Sequence, residues 1–297
     1  MSLPNFMCLG AAKSGTTTLY DILRQHPDLY IPSFKEPHFF DIPENYKNGI
    51  KWYEKTYFKN TNQKIVADFT PSYFFDEEAP KRIFESLGGE LKFVVILRNP
   101  LDRAYSHYLH SKRDLYEKQD FGEALKLESS RLQQYQNQAD YLSYLRHSYI
   151  HQGLYSKMLK RYLQYFSLDN FLFINFEDEF LQEKDLTIQK VLHFLEIDSS
   201  ILLNIDIRSN PASKERSKIL KRMMKKTGWW RVLLKKMIPS LKIRQIIKNR
   251  IQRANISVFN PPKLTQIQRH NIYNSYFSRD VHDLSVLLNR DFSNWIS

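Results

Sequence analysis

The sequence predicts an α/β fold, a P-loop-like parallel sheet flanked by helices, with a basic helical insertion. Short apolar runs at residues 6–9, 65–68, 91–97 and 171–176 alternate with segments of helical periodicity, an order typical of a parallel sheet covered on both faces. The run at 91–97 is apolar except for Lys92 near its start, as strands buried on both faces are. No internal repeat or Gly/Ser-rich linker divides the 297 residues. We therefore predict one domain over residues 1–297.

Local signals place the helices that follow these strands. Apolar residues at helical spacing begin after Thr17, and Pro27 ends that pattern. Pro100 follows the strongest strand, and a helix is predicted over 102–112. A further helix is predicted over 186–195, after the strand at 171–176.

The positive charge is concentrated in one segment. The chain has 44 Lys and Arg against 32 Asp and Glu, a net charge of +12. Residues 213–253, here called the basic segment, hold 15 of the basic residues and one acid, so the rest of the chain is close to neutral. Apolar residues recur in this segment at helical spacing, interrupted by Gly228 and Pro239. This pattern predicts two or three amphipathic helices inserted in the domain.

Three interpretations of the basic segment stay open. It is a solvated lid that packs on the domain, a contact for an acidic or sulfated substrate, or a peripheral contact with an anionic membrane, which Trp229 and Trp230 suit. Nucleic acid is not expected as a partner, because no recognisable nucleic-acid-binding motif accompanies the charge.

Composition also indicates the compartment. The single cysteine, Cys8, excludes an internal disulfide framework and a cysteine-based zinc cluster. The sequence has no apolar run of about 18 residues, and its first residues lack the features of a signal peptide. We therefore expect a cytoplasmic protein, membrane-peripheral if the basic segment binds lipid.

The loop at residues 10–18 has the composition of an anion site. It reads Gly-Ala-Ala-Lys-Ser-Gly-Thr-Thr-Thr and joins the first strand to a helix N-terminus, where free N–H groups and the helix dipole favour phosphate. It is not a Walker A loop, because Thr16 stands where that pattern has Lys, and Lys13 lies inside the loop. We also expect no strand to end in a metal-binding Asp, since the strongest one runs into Arg98. A magnesium-dependent ATPase is therefore disfavoured.

A second anion-binding pair follows the strongest strand. Arg98 lies at the carboxyl end of that strand, the edge at which α/β sheets bind ligands. Ser106 comes eight residues later, about two turns into the next helix. A guanidinium and a hydroxyl at this spacing are suited to a second phosphate. Arg103 either shares this task or lies on the helix surface, and we favour the surface.

These residues resemble the sulfotransferases that use 3′-phosphoadenylyl sulfate (PAPS). The loop at 12–17 is similar to their 5′-phosphosulfate loop, and Arg98 with Ser106 is similar to their 3′-phosphate motif. The resemblance extends through Lys-Glu-Pro-His-Phe-Phe-Asp at 35–41 and Thr-Pro-Ser-Tyr-Phe at 70–74. The Glu-x-His-Phe-Phe-Asp motif resembles the heparan-sulfate type and its bacterial relatives.

The resemblance implies direct in-line transfer of a sulfuryl group from PAPS, which is released as adenosine 3′,5′-bisphosphate, with no metal required. It implies that Lys13 contacts the bridging oxygen of the phosphosulfate, and that Arg98 and Ser106 bind the 3′-phosphate. Tyr155 is expected to approach the nucleotide. The resemblance also implies that the 5′ group contacts the backbone N–H groups of Ser14, Gly15, Thr16 and Thr17 and the hydroxyls of Thr16, Thr17 and Thr18. It further implies late cations near the 3′-phosphate, for which the candidates are Lys214, Arg216, Arg250 and Arg253.

On the acceptor side, the resemblance makes Glu36 the general base. His38 is expected to share a face with Glu36 in an extended chain. Asp41 is expected to orient either group or to bind the substrate. Tyr73 is a further substrate candidate, although we favour core packing for it. The acceptor is a hydroxyl or amine of a carbohydrate, a glycolipid or a small metabolite.

Two other functions remain as alternatives. One is a P-loop nucleotide kinase, which the position of Lys13 disfavours. The other is a binding protein that associates with membrane or nucleic acid through the basic segment.

Overall fold

The computed structural model describes residues 3–59, 61–207, 213–215, 256–258 and 261–296. It divides into two compact units. The first comprises Met1–Ser209 with Leu264–Ser297, and the second comprises Asn210–Lys263.

The first unit is built on a parallel sheet, which confirms the predicted α/β class. Its strands are β1 (Phe6–Gly10), β2 (Leu29–Tyr30), β3 (Ile65–Asp68), β4 (Lys92–Leu97) and β5 (Phe171–Asn175). Their order is β2-β3-β1-β4-β5, and every neighbouring pair is parallel. The four predicted runs are strands. β2 was not predicted, because two residues are too few to show a periodicity.

Helices connect and cover these strands. The first six are α1 (Thr16–Leu23), α2 (Pro43–Tyr46), α3 (Ile50–Tyr57), α4 (Ala79–Leu87), α5 (Pro100–Arg113) and α6 (Phe121–Lys126). The next six are α7 (Glu128–Asn137), α8 (Tyr141–His147), α9 (Tyr155–Tyr162), α10 (Lys184–Phe194), α11 (Gln266–Tyr276) and α12 (Ser278–Leu288). Short helical turns lie at Pro71–Phe74, His151–Gly153, Leu168–Asn170, Phe176–Gln182 and Ser293–Trp295.

The sheet separates two apolar cores, because successive side chains of a strand point to opposite faces. Val94 and Ile96 of β4 belong to the core that includes residues of α1 and α10. Phe93, Val95 and Leu97 belong to the larger core, which includes residues of α5, α9 and α12. Helices therefore cover both faces, and the carboxyl edge of the strands remains as the place for a site.

Within the second unit, two short strands are described. β6 (Ser213–Glu215) pairs with β7 (Ile256–Val258) in antiparallel orientation. The basic segment therefore begins with a strand, ahead of Ile219, where its helical periodicity starts. The predicted amphipathic helices farther along the basic segment lie outside the described residues, and its role stays a prediction. In the described part of the chain, no helix is long and apolar enough to cross a membrane.

Candidate active site

The central strands bring the two predicted anion motifs to one edge. β1 lies between β3 and β4, so the loop after Gly10 and the turn at Arg98 both leave the carboxyl ends of adjacent parallel strands. β3 ends in Asp68, and the expectation that no strand ends in a metal-binding Asp stays a prediction. The Asp68 carboxylate is fully buried and accepts hydrogen bonds from Thr70, Tyr53 and Tyr73.

The loop between β1 and α1 requires glycine at its end. Gly15 has a φ of 85°, and a Cβ atom there would lie 2.7 Å from the Phe180 ring. Gly15 is also the N-cap of α1, and no side chain caps that helix. The first-turn N–H groups of an uncapped helix are suited to an anionic ligand.

Ser14 contributes to this loop in a different way from the one predicted. Its backbone N–H donates to the carbonyl of Ala11 at 3.2 Å, so that N–H does not face a ligand. Its hydroxyl, in contrast, is buried and has no hydrogen-bond partner among the described residues. A buried hydroxyl without a partner is unfavourable unless a ligand completes it.

Arg98 joins the two anion motifs. Its Nη1 donates to the carbonyl oxygen of Lys13 at 2.8 Å, and its guanidinium lies over the Phe176 ring, 4.9 Å from the ring centre. Its Nε is buried without a partner among the described residues. The guanidinium therefore has donor capacity left for an anion at the site.

The backbone turn at Arg98 and Asn99 is held by three distant segments. The Tyr155 hydroxyl donates to the carbonyl of Arg98 at 2.8 Å. The Asn99 N–H donates to the Glu177 carboxylate at 3.1 Å, and its side-chain amide donates to the carbonyl of Trp295 at 2.9 Å. Sequence reasoning missed Glu177 and Trp295, because only the fold brings them to this turn.

Lys13 lies among charges of both signs. Burial, followed by the nearby guanidinium groups of Arg113 and Arg98, lowers the pKa of Lys13 to about 8, while Asp114 and Glu36 act in the opposite direction. Lys13 has a φ of 73°, an uncommon conformation for a residue with a side chain and one that is enriched at functional sites. Sequence reasoning did not identify Arg113 or Asp114, which lie at the far end of α5.

Glu36, His38 and Asp41 form one connected chain of side chains. His38 Nδ1 donates to Asp41 Oδ2 at 2.8 Å, and His38 Nε2 lies 3.6 Å from Glu36 Oε2. The other Glu36 oxygen accepts a 2.6 Å bond from Lys35. Ser72 also donates to Asp41, at 2.5 Å. The imidazole is thereby held between two carboxylates.

The backbone reaches this arrangement by an unexpected route. Glu36 and His38 have φ angles of 66° and 52°, so the chain is not extended there, and the predicted reason for their sharing a face is wrong. Two left-handed residues separated by Pro37 bring their side chains together instead. Both conformations are costly for residues with side chains and are typical of functional sites.

The contacts of His38 and Glu36 determine the charges of these two side chains. Burial by itself lowers the pKa of His38, but the bonds to Asp41 and Glu36 outweigh it and raise that pKa to about 10. Burial by itself raises the pKa of Glu36, but the bonds to His38 and Lys35 lower it to about 2. At neutral pH the site therefore holds a cationic imidazole and an ionised Glu36, whose side chain is 41% exposed.

Asp41 and Tyr73 are buried residues that support the site. Asp41 is 1% exposed and Tyr73 is fully buried. The Tyr73 hydroxyl accepts a 2.8 Å bond from the N–H of Phe39 and donates to Asp68 at 3.1 Å. The prediction that Tyr73 contacts substrate is therefore corrected: it anchors the loop at 36–41. The position of Asp41 fits the orienting role considered for it.

Some of the remaining predicted residues are described by the structure, and the others lie outside the described part of the chain. Ser106 is half-buried on α5, and Thr16, Thr17 and Thr18 form the first turn of α1. Tyr155 is fully buried, so its contact with the nucleotide motif is the hydrogen bond to the Arg98 backbone. Lys214 lies in β6. Arg216, Arg250 and Arg253 lie outside the described residues.

The residues that the structure brings together fit a nucleotide with two anionic groups. The orphaned donors Ser14 Oγ and Arg98 Nε, the uncapped start of α1 and the Lys13 ammonium lie on the two adjoining motifs. A ligand with one anionic group at the loop and one near Arg98 would complete them. PAPS has this distribution of charge.

Comparison with known proteins identifies the family. The sulfotransferase domain matches residues 3–236. The chain belongs to the sulfotransferase family. Its likeness to a crystal structure of a sulfotransferase from Alicyclobacillus acidocaldarius has a TM-score of 0.69 at 25% identity and covers 100% of both chains. This sulfotransferase fold agrees with the sheet order and with the resemblance that the motifs indicated.

Curated relatives of this sulfotransferase chain include two enzymes of glycan modification. Heparan sulfate glucosamine 3-O-sulfotransferase 5 of Mus musculus is 30% identical over 202 residues, which are 67% of this chain and 55% of that protein. Heparan sulfate glucosamine 3-O-sulfotransferase 6 of Homo sapiens is 33% identical over 174 residues, 59% of this chain and 47% of that protein. The match spans about half the length of these relatives.

Proposed function

We propose that the protein transfers the sulfuryl group of PAPS to a hydroxyl or amine of a carbohydrate acceptor. The observation that carries the proposal is the bond from Arg98 to the Lys13 carbonyl, which unites a 5′-phosphosulfate loop and a 3′-phosphate motif at one sheet edge. Membership of the sulfotransferase family supports it. The glycan substrates named for the relatives support the carbohydrate class.

Lys13 acts on the donor side. The loop N–H groups and the Ser14 hydroxyl bind the 5′ group, and Arg98 with Ser106 binds the 3′-phosphate. As the bond from sulfur to the bridging phosphate oxygen breaks, the Lys13 ammonium neutralises charge that develops on that oxygen. Positioning and charge neutralisation of this kind supply most of the catalysis in related group transfers.

Glu36 acts on the acceptor side. The acceptor oxygen or nitrogen forms the new bond to sulfur, and its proton passes to the Glu36 carboxylate. The charge of Glu36 acts on Lys13, which supports a position of the base on the same side of the site. The His38 imidazolium, held by Asp41, orients Glu36. The Lys35 contact lowers the pKa of Glu36. When the acceptor group takes the place of Lys35 beside the carboxylate, Glu36 therefore becomes a stronger base.

An exposed aromatic ring near Glu36 supports a carbohydrate acceptor. Phe34 is 65% exposed, two residues before Glu36, and its ring lies 6.3 Å from the Tyr57 ring. Tyr57 in turn lies 5.9 Å from Trp52. A contiguous apolar patch beside a site, such as these three rings form, marks a binding surface, and we propose that the face of a sugar ring stacks on Phe34.

The transfer experiment uses sulfur-labelled PAPS with a panel of glucosamine-containing oligosaccharides, glycolipids and small metabolites. We expect labelled oligosaccharide from the wild type and none from Glu36→Gln. Label on a metabolite or lipid alone would overturn the carbohydrate class. No labelled product with any acceptor, together with ATP-dependent phosphorylation, would favour the kinase alternative.

The basic segment is tested separately. Anionic vesicles that sediment the wild type but not a variant lacking residues 216–253 would support peripheral membrane contact, whereas equal sedimentation would contradict it. The cytoplasmic location stays a prediction, as does the absence of a metal requirement.

A further inference from the structure

Arg103 is a buried cation that has no anionic partner among the described residues. Its side chain is 0% exposed. Nη2 donates to the carbonyl of Tyr149, while Nε and Nη1 have no hydrogen-bond partner among the described residues. The prediction that Arg103 lies on the helix surface is therefore wrong. A buried charge with most of its donors unpaired is strongly unfavourable unless an anion compensates it.

No described carboxylate forms an ion pair with Arg103. Glu128 is the nearby acid whose charge acts on it, but the Glu128 oxygens accept from the N–H groups of Ile150 and His151 at 2.7 and 3.0 Å. The His151 ring donates to Glu128 as well, at 2.7 Å. This carboxylate is therefore committed to the turn at His151–Gly153, and the Arg103 guanidinium remains uncompensated.

Arg103 lies beside the 3′-phosphate motif. It is on α5, five residues after Arg98 and one turn before Ser106, so it shares a face of the helix with Ser106. A Cβ atom at Gly153 would lie 3.2 Å from Pro100 and 3.6 Å from Arg103 Nε, which places the guanidinium at the first turn of α5. Burial and then the charge of Arg98 lower the pKa of Arg103 to about 10, so it remains cationic at neutral pH.

We propose that Arg103 is a positioning residue that supplies a buried positive charge to the 3′-phosphate of the nucleotide and so selects 3′-phosphorylated nucleotides. The proposal rests on the proposed function, since it assigns the 3′-phosphate to Arg98 and Ser106. A charge fixed in a buried, low-dielectric position acts strongly on a nearby anion and needs no rearrangement when the anion binds.

The test compares two ligands that differ only in the 3′-phosphate. Dissociation constants for adenosine 3′,5′-bisphosphate and for adenosine 5′-phosphate are measured by calorimetry on the wild type and on Arg103→Met. We expect the bisphosphate to bind about 10- to 100-fold more weakly to Arg103→Met, and the monophosphate to change less than about threefold. The ratio of the two constants isolates the 3′-phosphate and is insensitive to a general loss of order.

Arg82→Met is the matched control. Arg82 also donates to a backbone carbonyl, that of Phe40 at 2.8 Å, and lies over the Tyr46 ring at 5.0 Å, away from the nucleotide motifs. The ratio of the two dissociation constants for Arg82→Met should equal the ratio for the wild type. Equal weakening of both ligands in Arg103→Met, or no change in the ratio, would overturn the proposal. A wild type that binds neither nucleotide would instead overturn the proposed function.

A second variant keeps the test valid if Arg103→Met does not fold. Arg103→Lys retains the charge and the long stem, and a buried ammonium loses its proton far more readily than a guanidinium. The preference of Arg103→Lys for the bisphosphate over the monophosphate, measured as the ratio of the two dissociation constants, should therefore fall between pH 7 and 9.5. The same ratio for the wild type should stay constant. Lys13 titrates in the same range, but it acts on the 5′ group, which both ligands carry. A constant ratio in Arg103→Lys would contradict the proposal.

Discussion

The Arg98 guanidinium donates to the Lys13 carbonyl at 2.8 Å, so one residue of the 3′-phosphate motif also fixes the conformation of the 5′ loop. Arg98→Lys should therefore lower both kcat and the apparent affinity for PAPS, by about 10- to 100-fold in kcat/KM, the size expected for bonds to charged groups. Ser106→Ala should raise KM for PAPS with kcat unchanged. Initial-rate kinetics distinguish the two patterns, and identical patterns would show that the Arg98 bond does not connect the motifs.

Lys13 makes nucleotide affinity depend on pH. Because burial and neighbouring guanidinium groups lower the pKa of Lys13 to about 8, the free protein loses this positive charge as the pH rises through 8. Binding of adenosine 3′,5′-bisphosphate should weaken progressively between pH 7 and 9.5. Lys13→Arg keeps its charge throughout, so its affinity should stay level over that range. A wild-type affinity that does not fall would contradict the position of Lys13 at the 5′ group.

Glu36→Gln removes the proton acceptor and keeps the shape of the side chain. Transfer should fall by about 10²- to 10⁴-fold, the usual contribution of a general base, while calorimetry should show unchanged affinity for adenosine 3′,5′-bisphosphate. Glu90→Gln is the control, because Glu90 is exposed and precedes β4, at the opposite end of the sheet from Arg98. Activity of Glu36→Gln within a few fold of the wild type would exclude Glu36 as the base.

The charged chain of Glu36, His38 and Asp41 also affects folding stability. The pKa of His38 is raised from 6.5 to about 10, so its contribution is fully present below pH 6.5 and is lost as the pH rises to 10. The pKa of Glu36 is lowered from 4.5 to about 2, so its contribution is lost as the pH falls from 4.5 to 2. Urea unfolding of the wild type and His38→Gln should show a difference that shrinks between pH 6.5 and 10, and a constant difference would contradict the pairing.

Tyr73→Phe deletes the hydroxyl that connects the loop at 36–41 to β3. It leaves the N–H of Phe39 and the buried Asp68 each without one partner, and should destabilise the fold by about 1–3 kcal/mol. Activity should fall more than nucleotide affinity, because the loop carries Glu36. Tyr108→Phe removes a hydroxyl that donates to the Gln119 carbonyl and accepts from Lys112, away from the loop at 36–41, and thermal unfolding with kinetics should show intact activity there. Equal loss of activity in both variants would argue against a specific anchoring role.

The sequence predicted those parts of the fold and site that depend on short stretches of chain. The strand at 92–97 and the helix after Pro100 follow from a continuous apolar run and a helix-starting proline, and the 5′ loop follows from its position between strand and helix. The burial of Arg103 could not be predicted, because it depends on packing by a segment 46 residues away in the chain.

The left-handed conformations of Lys13, Glu36 and His38 were equally beyond prediction. A positive φ is uncommon for all three residue types, although His adopts it more often than Lys or Glu, and the surrounding contacts impose it. For the same reason an extended chain was the wrong basis for placing Glu36 beside His38, although the two side chains do meet.

The central claim is that the edge at Lys13 and Arg98 binds a nucleotide with both 5′ and 3′ phosphates. One calorimetric titration of the wild type with adenosine 3′,5′-bisphosphate, and with ATP and Mg²⁺ in parallel, tests it most directly. We expect one site for the bisphosphate, with binding at least about tenfold tighter than that of ATP, because a charged donor binds the 3′-phosphate, which ATP lacks. Tighter binding of ATP with Mg²⁺, or no binding of the bisphosphate, would contradict it.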